Sequence, residues 1–155
     1  MRSAEYNSLE ITSELIGHLK RKLHIESIDI LKKWIDHQNN NGTTALHLAS
    51  KKGNLEIIKL LIEHKANIEV LDLTGKSVIH YAAQGNKPGP LVYFKETHLM
   101  NIHSIDDKGS TILHMACYSL GQENATDFIL SWNIEVNKQD REGKTALHLA
   151  VDSGK

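Results

Sequence analysis

Four near-identical tetrapeptides constrain this chain more than any other feature. "TALH" at 44–47 returns as "SVIH" at 77–80, "TILH" at 111–114 and "TALH" at 145–148. The histidines His47, His80, His114 and His148 are therefore 33, 34 and 34 residues apart. Gly42, Gly75, Gly109 and Gly143 each stand two residues before a motif, and Ala49, Ala82, Ala116 and Ala150 two residues after its histidine. Asp72, Asp106 and Asp140 precede the last three glycines by three positions, with Asn39 in the first slot. A composite motif recurring in register marks a repeated structural unit, and a period of about 20 to 50 residues marks a stacked array.

Each part of the motif has a physical role. Asp-x-x-Gly suits a tight turn in which glycine adopts positive φ. The following Thr or Ser is a helix N-cap whose hydroxyl accepts an orphan backbone N–H. The small alanine lets neighbouring helices approach closely. A second apolar stretch follows, clearest in "NLEIIKLLIEH", where Ile57, Leu60, Leu61 and His64 keep helical spacing. "NIEVLD", "NIHSID" and "NIEVNKQD" lead into the next turn. The unit reads as helix, loop, helix and extended hairpin. Helices of two to three turns are marginal alone, so stability must come from stacking one unit on the next.

With these residues in view, the chain resembles an ankyrin-repeat protein, whose consensus runs Asp-x-x-Gly-x-Thr-Pro-Leu-His-x-Ala. The resemblance covers residues 39–155 and implies an all-α solenoid of helix-loop-helix units with hairpin loops. It divides the chain into a helical cap or degenerate repeat (1–38), repeats at 39–71, 72–105 and 106–139, and a partial repeat at 140–155. Within the cap, Ile28, Leu31 and Ile35 keep helical spacing, and residues 9–37 are expected to form a helical pair. Ala45, Val78, Ile112 and Ala146 replace the usual proline, which should loosen the helix starts slightly. The second and third repeats carry insertions in or near "QGNKPGPLVY" and "YSLGQEN", with Pro90 expected in the first turn of a second helix. The last repeat stops at "VDSGK" after its first helix, so a continuation, or self-association of an otherwise monomeric chain through this unit, is expected.

Composition narrows the function classes. With 18 Lys and Arg against 19 Asp and Glu the net charge is −1, and only 5% of residues are aromatic, which argues against nucleic acid as partner. No stretch approaches the roughly 20 apolar residues that span a bilayer, and no signal-peptide pattern follows "MRSAEYNS". Cys117 is the only cysteine, which excludes an internal disulfide and predicts a reducing, cytoplasmic setting. Recurring once per repeat, the four motif histidines are set about 10 Å apart by helix stacking, too far to share a zinc ion. The resemblance implies instead that each bonds the motif Thr and neighbouring backbone. Cys117 occupies a small, buried slot, and Trp34 and Trp132 fall at expected second-helix packing positions. "QGNKPG" lacks the Gly-Lys-Ser/Thr logic of a phosphate loop. No catalytic constellation, metal site or cofactor site is read, so the chain is expected not to be an enzyme.

The resemblance places function on a concave surface of hairpin tips and first helices, where a protein partner would bind. The family's variable positions map to Asn40, Asn41, Thr43, Lys51 and Lys52 in the first repeat, and to Leu73, Thr74, Lys76 and Gln84 in the second. Asp107, Lys108, Ser110, Tyr118 and Ser119 follow in the third, then Arg141, Glu142, Lys144 and Asp152 in the fourth. Tyr118 is the expected anchor, since aromatic residues dominate hot spots. The lysines favour an acidic or extended partner, and Asp107, Glu142 and Asp152 dilute their field. Residues 91–151 also look like the ankyrin region preceding the membrane part of DHHC-type protein S-acyltransferases. In that alternative the chain recruits substrate on the cytosolic face of a membrane, and the catalytic domain lies outside these residues.

Overall fold

The computed structural model describes residues 2–22, 28–98, 100–118 and 125–154. Among the described residues the chain forms nine helices and no strand beyond one isolated bridge between Ile105 and Thr111. They are α1 (Arg2–Lys22), α2 (Ile28–Ile35), α3 (Ala45–Lys52), α4 (Leu55–Glu63) and α5 (Val78–Gln84). After them come α6 (Pro88–His98), α7 (Ile112–Tyr118), α8 (Ala125–Leu130) and α9 (Ala146–Asp152). Each motif Thr or Ser directly precedes one of α3, α5, α7 and α9, as the capping argument requires.

The four turns are built alike. One side-chain oxygen of Asn39 accepts the N–H groups of Asn41 and Thr43 at 2.9 and 3.0 Å. Asp72 does the same for Thr74 and Lys76 (2.8 and 2.9 Å), and Asp106 for Lys108 and Ser110 (2.9 and 2.8 Å). Asp140 repeats it for Glu142 and Lys144, both at 2.9 Å. This self-contained Asx geometry sets each hairpin without help from its neighbours. Successive turns are then joined by backbone bonds from Leu73 N to Asn41 O, Asp107 N to Thr74 O and Arg141 N to Lys108 O (3.1, 2.9 and 2.8 Å). At Gly42 the turn both needs positive φ (75°) and leaves no room, since a Cβ would lie 2.6 Å from the backbone nitrogen of Leu73.

The motif histidine ties cap, helix and next hairpin together. His47 Nδ1 lies 2.9 Å from Thr44 Oγ1 and accepts the Thr44 N–H at 3.3 Å, while Nε2 donates to Lys76 O at 3.2 Å. His114 repeats this with Thr111 and with Lys144 O at 3.1 Å. Because a carbonyl can only accept, the proton sits on Nε2 in both. His80 keeps its Ser77 contact at 2.9 Å, but its buried Nε2 has no hydrogen-bond partner. At His47 and His114 the geometry provides both expected bonds, to the motif Thr and to neighbouring backbone.

Helices α3, α5, α7 and α9 pack side by side in one row, with α4, α6 and α8 laid against them in a second, and α1 contacts α4. The core lies between the rows, where Ile58, Leu91, Phe94 and Ile129 from the second row are fully buried. They meet Leu46, Ile79, Ala82, Leu113 and Ala116 from the first. Each large apolar side chain withdrawn from water contributes about 1.5–3 kcal/mol. Asn86, itself buried, reaches across the repeat boundary and accepts the first N–H of α8, Ala125, at 2.9 Å.

Three packing expectations need correction. Ile58 and Leu61 are the buried positions of α4, whereas Ile57 and Leu60 are only partly covered and His64 caps the helix end. Trp132 does pack against the core, but from the turn beyond α8 rather than from the helix, with Lys95 5.0 Å over its ring, whereas Trp34 on α2 is 46% exposed. Val78 and Ile112, read as lost prolines, are fully buried core residues, which explains the absence of proline there. Pro90 does fall in the first turn of α6, and Cys117 is buried. The insertion at "YSLGQEN" falls largely outside the described residues.

Candidate interaction surface

The repeat register arranges the surface in rows. One row runs Asn41, Thr74, Lys108, Glu142 along the hairpin tips, and the next runs Thr43, Lys76, Ser110, Lys144. A third, set by the residue after each histidine, runs Leu48, Tyr81, Met115, Leu149. The fourth, on the first-row helices, runs Lys51, Gln84, Tyr118, Asp152. Across the last three repeats these rows enclose a groove of about 260 Å³. Of the sequence-derived candidates it gathers Lys76, Gln84, Lys108, Ser110, Tyr118, Glu142 and Lys144. Its floor, Met115 and Leu149, and the acids Asp106 and Asp140 escaped the sequence reading. The signal was available: the third row is found by stepping one residue past each histidine.

Not every candidate is free to meet a partner. Thr43 is only 6% exposed and its hydroxyl bonds Tyr81 at 3.0 Å, so it belongs to the scaffold. Ser110 is 5% exposed, closed in by its own turn, and contributes only to the groove wall. Thr74 is exposed at the rim, where its hydroxyl bonds Asp72 and receives Lys76 Nζ, both at 2.8 Å. Asn40, Asn41, Leu73, Asp107, Lys108 and Arg141 are exposed at the tips, and Lys51 and Lys52 at the end of α3. Tyr118 is 65% exposed at the end of α7. Ser119 lies outside the described residues.

Electrostatics separates two kinds of cation. Lys76 pairs with the buried Asp106 carboxylate at 3.3 Å. Lys144 lies 3.3 Å from Asp152 and 3.9 Å from Glu142, and Asp152 is the main reason its ammonium is held more firmly protonated than usual. Lys51, Lys52, Lys108 and Arg141 form no ion pair among the described residues. Among the candidate surface residues, the unpaired basic character therefore comes from these four. Behind them lies a half-buried clasp in which Tyr81 donates to Asp72 Oδ2 at 2.8 Å and receives Thr43 Oγ1. Burial raises the Tyr81 pKa and so keeps the phenol a donor. Burial alone would raise the Asp72 carboxyl, but hydrogen bonds from Lys76, Thr74 and Tyr81 outweigh it and hold it below the usual range. Desolvation keeps His47 and His80 neutral to lower pH than an exposed imidazole.

No group of three or more His, Cys, Asp or Glu side chains among the described residues is placed to hold a metal ion. No helix among them is long and apolar enough to cross a membrane. Two matches to the family model for ankyrin repeats (3 copies) span residues 1–89 and 90–155. The chain belongs to the ankyrin-repeat family. It is 43% identical over 54 residues to human (Homo sapiens) inversin, covering 35% of this chain and 5% of inversin. A Fowlpox virus (strain NVSL) protein named for its ankyrin repeats is 41% identical over 83 residues, covering 48% of this chain and 14% of that protein. The Drosophila melanogaster E3 ubiquitin-protein ligase mind-bomb is 39% identical over 46 residues, 30% of this chain and 4% of the ligase. The ankyrin chain thus aligns with only a small part of each of these relatives. Ankyrin repeats are a generic protein–protein interaction module, and what this chain shares with the three is that module.

Proposed function

We propose that the chain is a non-catalytic scaffold that binds a protein partner in the cytoplasm, on the surface formed by the hairpin tips and the first-row helices. The observation that carries this reading is Tyr118. A large amphipathic side chain stands 65% exposed at the rim of the groove, on a helix whose other residues are buried. Among the described residues its side chain makes no hydrogen bond or ring contact, and an exposed aromatic with an apolar floor beside it is what an interface hot spot requires. Lys51 and Lys52, unpaired on the same row of helices, add attraction for acidic groups that weakens with salt. If the chain serves instead as the recruiting part of an S-acyltransferase, the same surface does the recruiting.

The test is a triple variant, Lys51→Glu, Lys52→Glu and Tyr118→Ala, compared with wild type in capture of a partner identified by crosslinking. Binding should weaken by at least about tenfold, as loss of a hot spot requires, with an unchanged melting temperature. Full binding by a folded variant refutes this surface.

A further inference from the structure

The junction between the first two repeats and the junction that follows share an arrangement in which the aspartate is kept and two other parts are exchanged. At the first, Thr43, Tyr81 and Asp72 form a closed set, with the phenol donating to Asp72 Oδ2 at 2.8 Å and receiving Thr43 Oγ1 at 3.0 Å. The ring of Tyr81 stands edge-on to His47, centroids 4.9 Å apart. One repeat later the corresponding residues are Lys76, Met115 and Asp106. Methionine brings no hydroxyl. Asp106 Oδ2 is buried without a hydrogen-bond partner, since Lys76 Nζ at 3.3 Å is close enough to attract but not aligned to bond. His80 Nε2, whose counterpart in His47 is bonded, faces the backbone of Ser104 and Ser110 in the same junction without a well-aligned hydrogen bond. A buried acceptor left without a donor is unfavourable by about 1–3 kcal/mol until something supplies one.

Resting on the concave-surface reading, we propose that the groove receives a tyrosine side chain from the partner, whose phenol completes at Asp106 what Tyr81 completes at Asp72. The groove lies over this junction, with Met115 and Leu149 as an apolar floor against which a ring packs, and Tyr118 at its rim. Its charges favour a neutral guest, because Lys76, Lys108 and Lys144 are matched by Asp106, Asp140 and Glu142. An anionic side chain meets the acids, a cationic one the lysines, and an aliphatic one leaves Asp106 Oδ2 unsatisfied. A short hydroxyl side chain reaches the acid but leaves the floor wet. The Asp106 side chain is fully buried beneath Lys76, so the Lys76 side chain swings aside to admit the phenol, and its ammonium, in the register of Thr43, then takes the Thr43 role and donates to the phenol oxygen.

The probe is a capped Gly-Gly-Tyr-Gly-Gly peptide titrated into the chain carrying methionines labelled with 13C at the methyl group. The Met115 methyl resonance should shift saturably. The Phe analogue should bind about tenfold more weakly, the factor expected for loss of one hydrogen bond to a charged acceptor. Asp106→Asn should weaken the tyrosine peptide by a similar factor. Met115→Tyr, which supplies the phenol from within and is read by isothermal titration because it lacks the Met115 methyl, should abolish the interaction while leaving the melting temperature unchanged or higher. A silent Met115 resonance in the wild-type chain, or equal affinity for the Phe analogue, overturns the tyrosine slot. If the slot is silent while the Lys51/Lys52/Tyr118 variant still loses its partner, the concave-surface reading survives without it. If that variant keeps its partner too, both fall.

Discussion

At the scale of the residue, the caps and histidines do most of the local work. Thr44 is 2% exposed and bonded to His47, whereas Thr145 caps α9 at a more open site beside the exposed His148. Thr44→Ala should lower the unfolding free energy by about 1–2 kcal/mol, and Thr145→Ala by about half as much, in urea titrations. The histidines also couple stability to pH. His47 and His80 have folded-state pKa values below the ordinary 6.5 because burial disfavours the imidazolium. The unfolded chain therefore takes up protons first, so their contribution is complete above pH 6.5 and is lost as pH falls towards the lowered values. Melting temperature should fall on acidification from pH 7.5 to 5.5, and His47→Gln should flatten that slope. A pH-independent melting temperature across this range would contradict the neutral, desolvated state of both imidazoles. Asp72 adds a second loss at lower pH, below its ordinary value of 3.8.

Among the elements, the four helix starts look alike in sequence and differ in place. Ala45 is exposed at the first position of α3, while Val78 is fully buried at the first position of α5. Proline suits an exposed first position, because its fixed φ is already helical and that N–H has no intrahelical partner. Ala45→Pro should raise stability by about 0.4–1 kcal/mol through the unfolded chain. Val78→Pro removes buried methyl groups from the core and should lower stability by more than the Ala45 change raises it. Thermal denaturation of the two variants checks the contrast. The difference was not legible in the tetrapeptides, since "TALH" and "SVIH" encode the same cap and burial is set by the neighbouring helix. The N-cap positions themselves were legible, because they depend on nothing beyond four or five local residues.

For the whole molecule, the stack is supported unevenly. Helices α5 and α7 are flanked on both sides and backed by α6 and α8, whereas α9 meets α7 alone in its row and leaves Leu147 and Val151 72% and 68% exposed. Stability in such arrays is a sum of neighbour terms, so it should fall towards this end. Amide exchange should be slowest in α5 and α7 and fastest, among the first-row helices, in α9. Uniform protection across these four helices would mean that the array unfolds as one block.

The sequence by itself determined what is local and periodic: turns closed by their own Asp or Asn, helices started by their own Thr or Ser, and one architecture repeated at a fixed spacing. Through the ankyrin resemblance it also marked Tyr118 and the lysines as surface candidates, because the family's variable positions map onto hairpin tips and first-row helices. Only the tertiary structure decided which of those residues a partner can reach. It withdrew Thr43 into a clasp with Tyr81 and enclosed Ser110 in its turn, paired Lys76 and Lys144, and left Lys51, Lys52, Lys108 and Arg141 unpaired. The reason is range. A turn or cap is satisfied within about five residues, but burial and charge pairing join residues some 30 positions apart, brought into contact by stacking.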